Sequence, residues 1–309
     1  MQDSTHTQDA SKAEKSEQAK PYRSARFMVP DHCVLETSNL PADISLTEPN
    51  LIHRAQNVLR LKAGHVITLI NTHQHISVDA TINTLTSNEL HVSIQKVNPS
   101  TDNHLPRIIL LAGLIKGSKW DWLIEKATEL GVQTIIPIQS DHAVVQISAK
   151  DSVKKQAKWQ QLAYTTVEQC DGRFIPNITT PMSISHAIQH VESLKSAHTQ
   201  NNLNNVCKKF ILMENGDTRS SLMDQLSSPS HSTLPKTPQL DLPDTIIIAT
   251  GPEGGWSKRE CDLMLQQGFT NTQLGLRVLK AETASIAAIS VIVGLYDKKA
   301  NTPTEEAKQ

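Results

Sequence analysis

Between residues 22 and 98 the apolar positions recur with a period of two. Ile76, Val78, Ala80 and Ile82 alternate with polar neighbours, and Leu90, Val92 and Ile94 repeat the pattern. Alternation of this kind predicts strands with one buried face. One helical piece interrupts them. Leu51, Ala55, Val58, Leu59 and Lys62 fall at helical spacing, and Asn50 stands where an N-cap belongs. Gly64 then turns the chain into the apolar run 66–70. The expectation is a small, mainly β unit over 22–98. Turn and breaker residues at 98–106 (NPSTDNHLP) suit a linker.

The pattern changes after Arg107. Residues 108–115 are almost continuously apolar, as expected of a strand buried on both faces. Trp120, Leu123, Ile124, Ala127 and Leu130 make one helix face, and Gly131 is placed to end that helix. Further strands are expected at 133–138, 209–213, 245–250 and 271–276, and helices at 152–169 and 283–296. Ser257 opens another helix with Glu260 three residues on, the spacing of a capping box. Strands alternating with helices predict an α/β unit over 105–300, its parallel sheet covered on both faces. Residues 1–21 are polar and aperiodic and read as a disordered tail. The Asn-rich segment 195–207 and the Ser/Pro/Thr-rich segment 226–243 read as surface insertions.

Composition adjusts this picture in a few places. The 309 residues are 38% hydrophobic but only 4% aromatic, so the core must be mostly aliphatic. Formal net charge is −1, which excludes a protein held to nucleic acid by bulk charge; any RNA contact needs a local basic patch. The four cysteines form no C-x-x-C pair, and His73, His75 and His91 are scattered, so no metal site is expected. The N-terminal stretch has no apolar signal core, and no run is long enough to span a membrane. A cytoplasmic setting is expected.

Candidate chemistry lies near the C-terminus. In open α/β sheets ligands bind beyond the carboxyl ends of strands. Here one strand runs into Thr250-Gly-Pro-Glu-Gly-Gly255, and another into a loop from Gly275 to Thr283. The glycines of the first loop let backbone amides approach a ligand, although a plain tight turn would use them equally well. Neither G-x-G-x-x-G nor the P-loop pattern is present. The second loop sets apolar Leu274, Leu276, Val278 and Leu279 beside Arg277, Lys280, Glu282 and Thr283, a mixture suited to an adenine-bearing cofactor and also to core packing.

GPEGG at 251–255, followed by LGLRVLKAETA at 274–284, resembles the RsmE family, the 16S ribosomal RNA uracil-N3 methyltransferases of the SPOUT superfamily. RFMVP at 26–30, HRAQNVLRLKAG at 53–64, KGSKWDWLIEKATELGVQTIIPIQSD at 116–141 and EQCDGR at 168–173 match the same family, so the resemblance runs from about residue 26 to residue 295. It implies an N-terminal PUA-like β domain and a C-terminal SPOUT α/β domain with a deep trefoil knot. It also implies S-adenosylmethionine as cofactor, a homodimer, and the 16S RNA of the small ribosomal subunit as partner. Carried over residue by residue, it places cofactor contacts at Met213, Thr250, Gly251, Gly255, Leu274, Leu279, Ala281, Glu282 and Thr283. Lys280, Ala281 and the pair Glu214-Asn215 depart from residues common in the family, which puts roles of those side chains in doubt.

Uracil N3 carries a proton and is a poor nucleophile until that proton leaves. The site therefore needs a proton acceptor or a cation near the uracil oxygens. Arg173 is the expected group beside the base, with Glu168 and Glu282 as nearby carboxylates. Arg26, His53, Arg54 and Arg60 on the first unit, and Lys116, Lys119 and Lys126 on the second, are the expected RNA contacts. Lys116 and Lys119 open a helix, where cations are disfavoured; they read either as a solvated helix end or as phosphate ligands. The last helix is apolar around most of its circumference, which suits burial in one core or at a dimer interface. Two competing readings are a non-catalytic RNA-binding assembly factor and a SPOUT enzyme acting on another RNA.

Overall fold

The computed structural model describes residues 25–74, 76–98, 104–170, 172, 174–199, 206–213, 220–227 and 242–300. The first sheet contains β1 (Ala25–Met28), β2 (Ala42–Leu46), β3 (Val66–Asn71), β4 (Ile76–Leu85) and β5 (Leu90–Asn98), in the order β1-β3-β4-β5-β2. β1 runs parallel to β3 and the other pairings are antiparallel. The period of two works as expected: Ile67, Leu69, Val78, Ala80, Ile82, Leu90, Val92 and Ile94 form one buried cluster. Leu51, Ile52 and Ala55 cover it from α1 (Pro49–His53) and the π-helical turn Arg54–Val58 that continues it.

The helix start differs from expectation. Glu48, not Asn50, is the N-cap, and Pro49 lies in the first turn. Proline fits there because its missing N–H is one of the donors that the first turn leaves unpaired anyway. The helix also stops at Val58, short of Lys62, and Arg60 takes a left-handed φ of 52°.

The second sheet contains β6 (Arg107–Gly113), β7 (Thr134–Ile138), β8 (Asn177–Ile178), β9 (Cys207–Leu212), β10 (Thr245–Thr250) and β11 (Thr270–Thr272). Its order is β11-β9-β10-β6-β7-β8, and every pairing is parallel. The helices are α2 (Ser118–Glu129), α3 (Ala149–Gln169), α4 (Ile184–Thr199), α5 (Leu222–Ser227), α6 (Lys258–Gln266) and α7 (Ala281–Ala300). Ile108, Leu110, Ile246 and Ile248 pack with residues of α2, α3 and α7. The alternate residues Ile109, Leu111, Ile247 and Ala249 pack with residues of α4 and α6. Both faces of each central strand are therefore buried, which is why these strands read as unbroken apolar runs.

Three expectations need correction. β11 ends at Thr272 rather than 276; Gln273 makes one further bridge to Ser221 and the chain then leaves the sheet. The segment 195–207 is trimmed at both ends, because α4 runs through Thr199 and Cys207 opens β9. Residues 226 and 227 complete α5, with Leu226 buried. The expected tail 1–21 and the stretches 200–205 and 228–241 lie outside the described residues.

The two sheets meet where β1 contacts α3. Met28 and Ile70 pack on Val167, with Tyr164 and Ile175 at the edge. Arg54 pairs with Glu168 across this contact, and its guanidinium also lies over the Phe27 ring, 5.3 Å from the centroid. Among the described residues no helix is long and apolar enough to cross a membrane.

Candidate functional site

The loops after β10 and β11 close on one cleft of about 780 Å³. Several local devices hold it open. Gly255 adopts φ 68°, and its N–H donates to Pro252 O at 2.9 Å, which closes the first loop. At Gly113, the end of β6, an added Cβ would lie 2.4 Å from Pro252 Cδ, so only glycine lets the loop seat against the strand. The hydroxyls of Thr250 and Ser285 share a buried 2.7 Å hydrogen bond, and Ser285 is a residue of the first turns of α7. That bond fixes the start of α7 to the end of β10.

The exit of the first loop is bolted to a neighbouring strand. The expected capping box forms: Glu260 N–H donates to Ser257 Oγ at 3.2 Å, and Ser257 N–H donates to Glu260 Oε2 at 2.9 Å. Glu260 is also buried and accepts from Ser140 Oγ at 3.0 Å and from Asp141 N–H at 3.1 Å, both just beyond β7. Asp141 in turn accepts from Ser257 Oγ at 2.5 Å and pairs with Arg259 at 2.7 Å. The Arg259 guanidinium, and then the Ser257 hydroxyl, hold the Asp141 carboxyl below its ordinary range. The spacing S-x-x-E gave the cap; nothing in it signalled that the same carboxylate reaches the β7 loop.

Of the residues expected to contact a cofactor, Met213, Thr250, Gly251, Gly255, Leu274, Leu279 and Ala281 line the cleft. Glu282 sits behind that lining and meets it through Lys119, whose Nζ is 3.3 Å from Glu282 Oε1. Thr283 is exposed and is not among the lining residues. Trp256 and Cys261 also line the cleft and were missed, because they follow the glycine motif rather than form part of it. Trp256 Nε1 is buried and has no hydrogen-bond partner among the described residues. A buried donor of this kind is costly to leave unpaired, and the indole N–H is enclosed by protein rather than open to the cleft. Burial pushes the Cys261 thiol up, which keeps it neutral.

The expected RNA-facing groups differ in their surroundings. Lys119 lines the cleft. Lys116 is exposed nearby, and its backbone N–H donates to Glu253 Oε1 at 3.3 Å. Lys126 lies two turns further along α2 and pairs with Glu129 at 2.6 Å. Arg54 is engaged between the sheets, Arg26 is partly buried on β1, and His53 and Arg60 are exposed. Burial raises the Glu168 carboxyl; the Arg54 charge opposes this but is the smaller effect. Arg173 lies outside the described residues. Among the described residues no group of histidines, cysteines and carboxylates could hold a metal ion.

Residues 101–293 match the family described as the RNA methyltransferase domain. A ribosomal RNA small subunit methyltransferase E from Synechocystis sp. is 30% identical over 260 residues, covering 84% of this chain and 75% of the relative. The chain belongs to this RNA methyltransferase family. The enzyme of the same name from Bacillus subtilis is 28% identical over 245 residues, covering 78% of this chain and 86% of the relative. In fold the chain is similar to a ribosomal RNA small subunit methyltransferase E from Neisseria gonorrhoeae, solved bound to S-adenosyl methionine. The TM-score is 0.64 at 24% identity, covering 88% of this chain and 98% of that one. The family match takes in the whole of the cleft: both loops and the first turns of α7 fall inside it.

Proposed function

We propose that this RNA methyltransferase transfers the methyl group of S-adenosylmethionine to N3 of a uridine in the 16S RNA of the small ribosomal subunit. The observation that carries the reading is the single cleft formed by the loops after β10 and β11 and the start of α7. Its volume and its mixed lining suit an adenine-bearing cofactor. Gly251 and Gly255 leave backbone free to approach a ligand. S-adenosylmethionine, when bound, supplies a methyl group already activated on a sulfonium. The chain has to hold and orient that group and the base, and alignment of this kind accounts for much of the rate. Met213, Thr250, Gly251, Gly255, Leu274, Leu279 and Ala281 are assigned as the cofactor's contacts. The names of the Synechocystis and Bacillus subtilis relatives support small-subunit RNA as the substrate.

The same reading divides the chain into a PUA-like RNA-binding unit over 22–98 and a SPOUT unit over 105–300, with a deep trefoil knot in the latter. The packing of α7 against α2, β6 and β10, after the chain has left β11 at the sheet edge, is consistent with a threaded path. It also implies a cytoplasmic homodimer. Ile286, Val291 and Val293 on α7 remain only partly buried in the single chain, which leaves apolar surface for a second copy.

The test is transfer of labelled methyl to 16S RNA and to small subunits, with the product nucleoside identified. 3-Methyluridine is expected. A ribose methylation, or another methylated base, would overturn the substrate assignment. Absence of S-adenosylmethionine binding by calorimetry would favour a non-catalytic assembly factor instead.

A further inference from the structure

Among the described residues three cations line the cleft: Lys119, Arg277 and Lys280. Arg277 and Lys280 lie on the exposed loop after β11. Lys119 differs, because it is anchored. Its Nζ is 3.3 Å from Glu282 Oε1, and its side chain is 44% exposed against 12% for Glu282. The second oxygen of Glu282, Oε2, is buried with no hydrogen-bond partner among the described residues. A carboxylate largely removed from water needs a counter-charge, so Glu282 holds the ammonium beside it. Local structure alone would not put a cation here. Lys119 is in the first turn of α2, where the helix dipole disfavours positive charge, whereas Glu282 in the first turn of α7 is favoured.

We propose that Lys119 is the cation that stabilises the uracil anion during methyl transfer, and that Glu282 is its positioning residue. The proposal rests on the uracil-N3 reading above. In that reaction the N3 proton passes to hydroxide or buffer base from solvent. The negative charge spreads over N3 and its two flanking carbonyl oxygens, and the Lys119 ammonium hydrogen-bonds one of those oxygens. The N3 electron pair then bonds to the methyl carbon as the carbon–sulfur bond breaks, and that bond's pair leaves the sulfur neutral. Lys119 emerges unchanged. The held ammonium resembles a preorganised oxyanion donor, whose removal costs about 100- to 1,000-fold in rate. Among the described residues the other charged groups lining the cleft are Glu253, Arg277 and Lys280. Glu253 Oε1 accepts the Lys116 N–H, and among the described residues Arg277 and Lys280 have no comparable buried anchor.

The test compares wild type, K119M, K119R, E282Q and the neutral pair K119M/E282Q in single-turnover transfer to a short RNA containing the methylated uridine. A second RNA carries 5-fluorouracil there, whose N3–H is more acidic. The expected loss for K119M is about 100-fold on uracil near neutral pH. That deficit should shrink at alkaline pH and on 5-fluorouracil. K119R should keep more of the rate than K119M, E282Q should lose about tenfold, and the neutral pair guards against a variant that fails to fold for want of a counter-charge. A readout independent of turnover is fluorine-19 NMR of the 5-fluorouracil RNA bound with S-adenosylhomocysteine. Its N3 titration midpoint should be lower with wild type than with K119M or the neutral pair. An equal deficit at every pH and on both bases, or an unchanged midpoint in RNA-bound variant, overturns the proposal. So does loss of S-adenosylmethionine binding in K119M, which would assign Lys119 to the cofactor. If wild type makes no 3-methyluridine, the underlying reading fails before any variant is compared.

Discussion

The two sheets use their strand ends differently. In the first, antiparallel neighbours return to each other through short connections such as 86–89, so successive strand ends alternate between the two ends of the sheet. One of its cations, Arg54, is engaged in joining the sheet to α3. In the second, all strands are parallel, so every carboxyl end faces the same way and the loops after β6, β10 and β11 gather at one end of the sheet. Parallel topology concentrates loops into a site without any need for the residues to be near in sequence. The first, mixed sheet brings no such set of loops together by its topology. The same kinds of side chain make a cleft in one case and a joint in the other.

The sharpest way to break this contrast is at the contact that only the parallel sheet has. Gly113→Val would force a side chain into Pro252, and we expect a loss of about 3 kcal/mol with cofactor binding abolished. Thermal melting and calorimetry measure both. Glu260→Gln ranks next. Its amide would face the Asp141 or Ser257 N–H, donor against donor, at an expected cost of about 2 kcal/mol. Cofactor affinity should fall more than RNA affinity, since the bolt holds the glycine loop; equal losses would mean that the network only supports the fold.

The joint between the sheets gives a smaller effect. Arg54→Met should cost about 1–2 kcal/mol, because it leaves Glu168 half-buried without its partner. Burial raises the Glu168 carboxyl above its ordinary value of 4.5. A raised carboxyl contributes most to stability when protonated, below that value, and the contribution is lost as pH climbs through the raised one. The Arg54→Met penalty should therefore be larger at neutral than at acid pH, and Arg54→Met/Glu168→Gln should recover part of it. A penalty independent of pH would show that the Phe27 stacking matters more than the ion pair. The smallest effect is at the surface. Asp141 is held below its ordinary value of 3.8, so its contribution is present above 3.8 and lost as pH falls through the lowered value. Denaturation scans of wild type and Asp141→Asn should converge at acid pH.

The contrast also explains what could be read from the chain. Period two gave the first sheet, and the unbroken runs at 108–115 and 245–250 gave the centre of the second, because burial on one or both faces writes itself locally. Both cleft loops stood out by glycine content or by position after strands, but those features suited a plain turn or core packing equally well, and the family resemblance supplied the ligand. The pairings Glu260–Ser140, Arg54–Glu168 and Lys119–Glu282 were not, because each joins residues more than a hundred positions apart and a carboxylate carries no mark of its partner. The end of β11 was misjudged for a related reason: Leu274 and Leu276 are apolar like strand residues, yet Leu276 is fully exposed in the loop.

One pairing closes a long stretch of the chain. β6 and β10 lie side by side with Arg107 opposite Thr245, 138 positions apart. Pairings of such high sequence separation slow folding. The entropy of closure grows only logarithmically with length, so a dozen residues more between these strands would cost less than about 0.1 kcal/mol. Polar segments such as 228–241 can therefore lengthen in that interval at almost no thermodynamic expense, provided that the two strands still find each other.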